Sequence, residues 1–256
     1  MAWSAPLYRI YERRLQRHFA ASRLPLHVGV ILDGHRRFAR AEGLVDYSAS
    51  YQSGMEKLEQ FISWCAPLEI PAVTAWVLST DNLRRPAEEL EPYFQVLIDL
   101  LARVPALAAR LDFSFQVIGS LDLLPRPLAV AAKEAEAAVG EGRFHVNLAL
   151  GYGGRQEIVD ACRSLVAELV AEGITPSELV EHVDAAALSS HLYAADLPDL
   201  DLVIRTSGEA RLSGFLLWQS AYAECVFVDP YWPAFRRVDF FRALRDYGRR
   251  DRRFGR

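Results

Sequence analysis

The sequence has few cysteines, no long apolar run and no excess of positive charge. Every apolar run stays well below the ~18 residues of a membrane span, and residues 1–24 lack the apolar stretch of a secretory signal. The net charge is −4 and the pI is about 5.9, so no basic field is available to attract nucleic acid. We therefore expect a cytoplasmic protein with no membrane span and no nucleic-acid partner.

The three cysteines, Cys65, Cys162 and Cys225, are widely spaced and fall on apolar patterns. Such spacing favours reduced thiols in the core over a disulfide framework or a zinc site. With 51% hydrophobic and 24% charged residues, the composition is typical of a globular protein.

Six apolar runs predict buried strands, and glycine or polar residues follow each of them. The runs are residues 28–32, 72–78, 113–118, 145–150, 202–204 and 225–228. Helical patterns lie between them, with Met55, Leu58, Ile62 and Cys65 on one face and Ile158, Cys162, Leu165 and Leu169 on another. This alternation predicts a single α/β domain with a mostly parallel six-stranded sheet flanked by helices.

Residues 201–224 carry the clearest functional signal. Arg205, Thr206, Ser207, Arg211 and Ser213 follow an apolar run, and residues 215–218 are again mostly apolar. Guanidinium groups and hydroxyls bind phosphate oxygens, so this pattern indicates an anion site beside an apolar wall. A single polar residue after a strand is usually only a turn. The signal lies in several such clusters, which should meet at the carboxyl edge of a parallel sheet and take an amphiphilic substrate.

Four segments carry a resemblance to a known family: HVGVILDGHRRFAR, STDNLRRP, GYGGRQEIVDA and DLVIRTSGEARLSGFLLWQSAYAECVFVDPYWPAF. Over residues 27–255 the chain resembles the cis-prenyltransferases, the undecaprenyl diphosphate synthase family. It is most similar to the short-chain actinobacterial members, and lavandulyl or cyclolavandulyl diphosphate synthase-like members are an alternative within them. The resemblance implies a homodimer, a hydrophobic prenyl tunnel, Mg²⁺, and two diphosphate substrates, one allylic and one homoallylic or a second allylic.

The resemblance also implies roles for individual residues. It gives a catalytic set of Asp33, His35, Ser79 and Asn82, and it gives Asp33 and Glu224 as metal ligands. The implied substrate-binding residues are Gly34, Arg36, Arg37, Phe38, Tyr51, Trp76, Leu83, Arg85, Arg205, Arg211, Ser213, Arg253 and Gly255. The family also implies one domain over residues 1–256, with a helical arm over 1–24 and a C-terminal helix and Arg-x-Gly tail over 238–256.

The sequence departs from the family at the loop after the first strand, where His35 replaces an asparagine. A neutral imidazole is a far better base than an amide, so one interpretation is altered proton removal and an altered product. The other is that His35 only hydrogen-bonds a diphosphate. The tract that ends at Tyr51 lacks the family's arginine and histidine, Asp81 replaces a glutamate, and Leu83 replaces an aromatic residue.

Product length can be argued from Trp76, Val77 and Leu78, which stand where long-chain synthases have a small residue near the tunnel floor. Their bulk favours a short product, although Trp76 on its own is equally consistent with ordinary core packing.

Together these observations predict a Mg²⁺-dependent short-chain prenyl diphosphate synthase that condenses dimethylallyl or geranyl diphosphate with isopentenyl diphosphate. One alternative is irregular head-to-middle coupling of dimethylallyl units, with or without cyclisation. Another is a catalytically silent accessory subunit, which the retained Asp33 disfavours.

Overall fold

The computed structural model describes residues 24–250, and within them six strands form one sheet. The strands are β1 (His27–Ile31), β2 (Ala72–Ser79), β3 (Phe113–Ile118), β4 (Phe144–Tyr152), β5 (Leu202–Arg205) and β6 (Glu224–Phe227). Their order across the sheet is β3-β4-β2-β1-β5-β6, and all five neighbouring pairs are parallel. The prediction of a six-stranded α/β sheet is confirmed, and the sheet is entirely parallel.

Helices connect these strands and cover both faces of the sheet, as parallel strands require. They are α1 (His35–Ala41), α2 (Ser48–Cys65), α3 (Ala87–Leu111), α4 (Arg126–Ala138), α5 (Gly154–Ala171), α6 (Leu179–His182), α7 (Ala185–Ser189) and α8 (Arg237–Gly248). Short 3-10 turns occupy Ala66–Leu68, Asp81–Arg84, Leu121–Leu123 and Trp232–Ala234. No helix within residues 24–250 is long and apolar enough to cross a membrane.

The two faces of the sheet pack against different hydrophobic clusters. The larger cluster joins the apolar face of α2, including Met55 and Leu58, to α3, α4 and α8. The smaller cluster centres on Trp76 and Phe215. Successive side chains of a strand point to opposite faces, so Val77 packs in the larger cluster and its neighbour Trp76 in the smaller one.

A row of polar side chains crosses the face of the smaller cluster. Ser114 Oγ lies 2.8 Å from His145 Nδ1, and His145 Nε2 lies 2.9 Å from the amide oxygen of Asn147. The Asn147 amide nitrogen donates to Thr74 Oγ1 at 3.2 Å. The same Thr74 oxygen lies 2.8 Å from His27 Nε2. The row spans β3, β4, β2 and β1, and because its polar groups pair with one another it can be buried at little cost.

The expectation of three core cysteines is correct for Cys65 alone, because Cys65 is buried, Cys162 is exposed and Cys225 is half-buried. The buried face of α5 carries Gly154, Glu157, Ala161, Leu165 and Leu169. Leu165 and Leu169 are therefore buried as predicted, whereas Glu157 and Ala161 are buried in place of Ile158 and Cys162. The predicted arm over residues 1–24 lies almost wholly outside the described residues. The predicted C-terminal helix matches α8, and residues 251–256 of its tail also lie outside them.

Candidate active site

A pocket with a cavity volume of about 540 Å³ opens at the carboxyl edge of the sheet. It lies beside β1, which has β2 on one side and β5 on the other. The strands that follow β1 in sequence are thus added first on one side of it and later on the other. Such a crevice is the usual ligand site of an open parallel sheet. The pocket is lined by Ile31, Leu32, Asp33, Gly34, His35, Arg36, Arg37, Arg40, Tyr51, Trp76, Val77, Ser79, Asp81, Asn82, Arg85, Tyr93, Arg205, Arg211 and Ser213.

Thirteen of the residues predicted from the sequence are in that lining, so most of the predicted site is brought together. Tyr93 and Arg40 also line it and were missed. Tyr93 lies among the apolar positions of α3 and is typical of a core residue by pattern, whereas Arg40 has the pattern of a solvated helix end.

Gly34 forms the turn between β1 and α1. Its φ of 105° is in the left-handed region, and a Cβ there would lie 2.7 Å from the Tyr231 ring and 3.0 Å from Ser207. Only glycine fits both the conformation and the space. Thr206 fixes the preceding residue, because its hydroxyl accepts from the Asp33 N–H at 3.0 Å and donates to the Asp33 carbonyl at 2.8 Å.

Asp33 is held between two arginines. Arg205 Nη2 lies 2.7 Å from its Oδ2 and Arg37 Nη2 lies 3.2 Å from its Oδ1. Partial burial favours the neutral acid, but the hydrogen bond and charge of Arg205, joined by Arg37, outweigh it and hold the pKa of Asp33 below its usual value. Asp33 is therefore an ionised carboxylate at the pocket wall.

Arg205 also organises the loop that follows β5. Its Nη1 donates to the Arg211 carbonyl at 2.6 Å and to Ser213 Oγ at 2.7 Å, and its buried Nε has no hydrogen-bond partner among residues 24–250. Glu209 pairs with Arg211 and, at 3.0 Å, with Arg37. The cationic groups of this loop are thus kept in place by neighbouring carboxylates and hydroxyls.

Glu89 organises the opposite side of the pocket. It accepts from the Tyr51 hydroxyl at 3.0 Å and from Arg85 Nη1 at 3.1 Å, and its Oε2 lies 3.6 Å from Arg36 Nε. Glu89 was missed from sequence, because an acidic residue in the first turn of a helix is usually a solvated one. The structure instead makes it the common partner of three pocket residues.

His35 is buried beside α2 and two tyrosines. Its ring centroid lies 5.6 Å from that of Tyr51 and 6.4 Å from that of Tyr93. A Cβ at Gly54 would lie only 2.1 Å from His35 Nε2, so the ring occupies space that this glycine leaves open. Nε2 has no hydrogen-bond partner in the part of the chain that the structure describes, and burial lowers the pKa of His35 to about 4. The imidazole is neutral near pH 7.

Trp76 and Val77 belong to different walls of the pocket. Trp76 stacks on Phe215 with ring centroids 5.4 Å apart and meets the edge of Tyr152. On the other side, Tyr93 donates to the Val77 carbonyl at 2.7 Å and its ring lies 4.2 Å from that of Tyr51. Nearby, the Asn82 N–H donates to Ser79 Oγ at 3.1 Å. The pocket therefore has an arginine-rich part and an aromatic part.

Residues 31–255 match a prenyltransferase family model described as undecaprenyl diphosphate synthase. The chain belongs to this family. A (2Z,6E)-farnesyl diphosphate synthase of Thermobifida fusca (strain YX) is 50% identical over 251 residues, which are 98% of this chain and 97% of that protein. A short-chain Z-isoprenyl diphosphate synthase of Mycobacterium leprae (strain TN) is 48% identical over 253 residues, 98% of this chain and 96% of that protein.

Among solved structures, the chain is similar to lavandulyl diphosphate synthase from Lavandula x intermedia in complex with dimethylallyl diphosphate. The TM-score is 0.84 at 35% identity, covering 91% of this chain and 99% of that one. The family model, the named relatives and the similar solved structure all indicate the same class of enzyme, so the chain is a prenyltransferase.

Some residues that the family resemblance predicted for the site lie elsewhere. Phe38 and Leu83 are outside the pocket lining, and Leu83 packs against the main core. Glu224 begins β6 and pairs in register with Leu202, at the amino edge of the sheet, where it forms an ion pair with Arg250. Arg253 and Gly255 lie outside the described residues.

The pocket residues fit the magnesium ion that the family implies. Within residues 24–250 no cluster of three or more His, Cys, Asp or Glu side chains could hold a metal by itself. Mg²⁺ is commonly bound by one or two carboxylates together with substrate phosphate oxygens and waters. Asp33, ionised and beside the arginines, suits that arrangement.

Proposed function

We propose that the protein is a Mg²⁺-dependent short-chain prenyl diphosphate synthase. It condenses an allylic diphosphate, dimethylallyl or geranyl, with isopentenyl diphosphate and releases diphosphate. The observation that carries the proposal is the ionised carboxylate of Asp33, which stands between Arg37 on α1 and Arg205 on β5 in a pocket that also has an aromatic part. Two sets of phosphate-binding groups therefore adjoin one carboxylate.

Each of the two sets binds one diphosphate. Gly34, Arg36 and Arg37 at the start of α1 bind the allylic diphosphate, helped by the free N–H groups of the helix. Arg205, Arg211 and Ser213 bind the diphosphate of the acceptor. Asp33 would hold Mg²⁺ together with substrate phosphate oxygens, and the ion would supply positive charge that stabilises a leaving diphosphate. The arginines stabilise the same charge as it develops.

The aromatic part of the pocket serves the hydrocarbon chains. Tyr51, Tyr93, Val77 and Trp76 offer an apolar surface that excludes water from the reactive carbon. A cavity of about 540 Å³ also has to hold both diphosphates. This limited volume supports short products, and the two relatives named above make short-chain products by their descriptions.

Irregular coupling of two dimethylallyl units is the second candidate, and two observations favour it. The family's asparagine is replaced by His35, whose neutral Nε2 has no hydrogen-bond partner among the described residues. The similar lavandulyl diphosphate synthase was solved with dimethylallyl diphosphate. His35 lines the pocket, and a neutral imidazole is able to accept a proton from a coupled cation.

One product assay separates the candidates. The protein is incubated with Mg²⁺ and dimethylallyl diphosphate alone, then with isopentenyl diphosphate added, and then with geranyl and isopentenyl diphosphates. Regular synthesis gives product only when isopentenyl diphosphate is present. Product from dimethylallyl diphosphate alone establishes irregular coupling instead, and no product under any condition supports an accessory subunit. The homodimer and the cytoplasmic location remain predictions, and sedimentation tests the first.

A further inference from the structure

Glu157 is a fully buried carboxylate that lies outside the pocket lining, in the first turn of α5. Its Oε1 accepts from Gln219 Nε2 at 2.9 Å and from the Tyr193 backbone N–H at 3.1 Å, and its Oε2 accepts from the Tyr152 hydroxyl. Burial raises the pKa of Glu157 even though these hydrogen bonds oppose the rise. A buried carboxyl group is costly, so its presence away from the pocket calls for a function.

The loop that Glu157 contacts is the one that carries Arg211 and Ser213. Of the five non-glycine residues with positive φ among the described residues, three lie in this loop: Ser207 at 76°, Ser213 at 51° and Leu216 at 41°. Such backbone conformations are unfavourable and persist only where surrounding contacts enforce them. Arg205 holds the side chain of Ser213 from within the pocket, and the backbone around Ser213 requires further contacts.

The first turn of α5 supplies those contacts. The Gly154 N–H donates to the Gly214 carbonyl at 3.0 Å, directly after Ser213, and a Cβ at Gly154 would lie 2.5 Å from that oxygen. Glu157 fixes the end of the same loop through Gln219, whose backbone carbonyl in turn accepts from the Leu200 N–H at 2.9 Å. The loop is thus attached to α5 at two points, at Gly214 directly after Ser213 and at Gln219 three residues after Leu216.

We propose that Glu157 is a positioning residue for binding of the acceptor diphosphate. It acts through Gln219 and the loop backbone to hold Arg211 and Ser213 in their binding positions, and it does not touch substrate itself. The inference rests on the proposed function, because it assigns that loop to the acceptor. Preorganised donors bind an anion better than donors that have to be ordered first, so loosening the loop weakens acceptor binding.

Two substitutions separate hydrogen bonding from simple space filling. In Glu157→Gln the amide oxygen still accepts from Gln219 and from the Tyr193 N–H, and the Tyr152 hydroxyl can turn to accept from the new amide group. Glu157→Ala removes all three bonds. Glu172→Ala, an exposed position at the end of the same helix, is the matched control.

The test is steady-state kinetics of the full chain with Mg²⁺, varying each diphosphate in turn. Glu157→Ala should raise the KM for the acceptor roughly tenfold or more, with the kcat and the KM for the allylic substrate within about twofold of wild type. Glu157→Gln and Glu172→Ala should resemble wild type. An unchanged acceptor KM in Glu157→Ala overturns the proposal, as does an equal rise in both KM values or a Glu157→Gln protein as impaired as Glu157→Ala.

If Glu157→Ala does not fold, Gln219→Leu removes one of the three bonds and should give the same selective rise in acceptor KM, whereas an unchanged value overturns the proposal. Isothermal titration calorimetry with inorganic diphosphate measures the affinity of the diphosphate site without any turnover. A wild-type protein that binds diphosphate and lacks turnover contradicts the proposed function alone. Equal diphosphate affinity in wild type and Gln219→Leu contradicts the role of Glu157.

Discussion

Arg205 Nη2 lies 2.7 Å from Asp33 Oδ2, which joins the end of β5 to the loop after β1. The two residues are far apart in sequence and belong to different predicted clusters. β1 and β5 are neighbours in the sheet, with Ile31 in register with Arg205, so both clusters emerge at the same point. The ion pair is the physical link between the two proposed diphosphate sites.

Asp33→Asn should abolish most of the synthase activity. The amide keeps the shape of the side chain but loses the charge that pairs with Arg205 and binds Mg²⁺, so we expect kcat to fall by about a hundredfold or more. Product formation with saturating substrates measures this. Asp122→Asn, at an exposed site, is the control, and comparable activity in the two variants would contradict the assignment of Asp33.

Gly54→Ala should impair the protein through His35. The added Cβ would lie 2.1 Å from His35 Nε2, so either the ring or α2 has to move, and we expect a loss of about 1–3 kcal/mol in the free energy of unfolding together with lower activity. Gly140→Ala adds the same methyl group where nothing lies within 4 Å. Denaturant unfolding compares the two variants.

A double variant completes that test. Combining Gly54→Ala with His35→Ala removes the overlap and should recover much of the stability that Gly54→Ala alone loses. Additive losses in the double variant would show that the two residues do not interact.

The stability of the protein should fall as the pH drops from about 6.5 to about 4. Burial lowers the pKa of His27 to about 4, whereas an unfolded histidine titrates near 6.5. As the pH falls, the unfolded chain therefore binds the proton first, and the free energy of unfolding decreases by up to about 3 kcal/mol for this residue. Above pH 6.5 the contribution of His27 is constant.

His27→Gln tests this pH dependence, since an amide can donate to the Pro198 carbonyl and accept from Thr74 without titrating. Denaturant midpoints measured between pH 4 and 7 should change less steeply in this variant. His182→Gln, at an exposed site on α6, should follow wild type. Equal slopes for His27→Gln and wild type would count against a buried neutral His27.

Tyr93→Ala should lengthen the product. The Tyr93 ring lines the aromatic part of the pocket and packs on Tyr51, so its removal extends the cavity into the core beneath. We expect products with one or more additional isoprene units, at a stability cost of about 3–5 kcal/mol. Chromatography of dephosphorylated products measures chain length. Tyr93→Phe, which loses only the hydrogen bond to Val77, should keep the wild-type product, and an unchanged length in Tyr93→Ala would refute the role of this ring.

The sheet and the place of the pocket were predictable because both follow from patterns within the chain. Continuous apolar runs mark buried parallel strands, and parallel strands bring the residues after them to one edge. Asp33 and Arg205 were therefore expected near each other before any coordinates.

Glu89 and Glu157 could not be predicted in the same way. A glutamate in the first turn of a helix has the same local pattern whether it faces solvent or a buried donor, and only the packing of distant segments distinguishes the two. The exposed position of Cys162 was missed for a related reason, because several rotations of α5 place apolar residues on a common face. Contacts with the rest of the protein determine which of these rotations α5 adopts.

The carboxylates of the arginine-rich part have a consequence for how binding responds to salt. Glu89 and Glu209 each pair with two pocket arginines, so their two negative charges balance half of the four positive charges of Arg36, Arg85, Arg37 and Arg211. An entering diphosphate therefore replaces these carboxylates as well as ions from solution. Substrate affinity should depend on ionic strength less steeply than a count of arginines suggests.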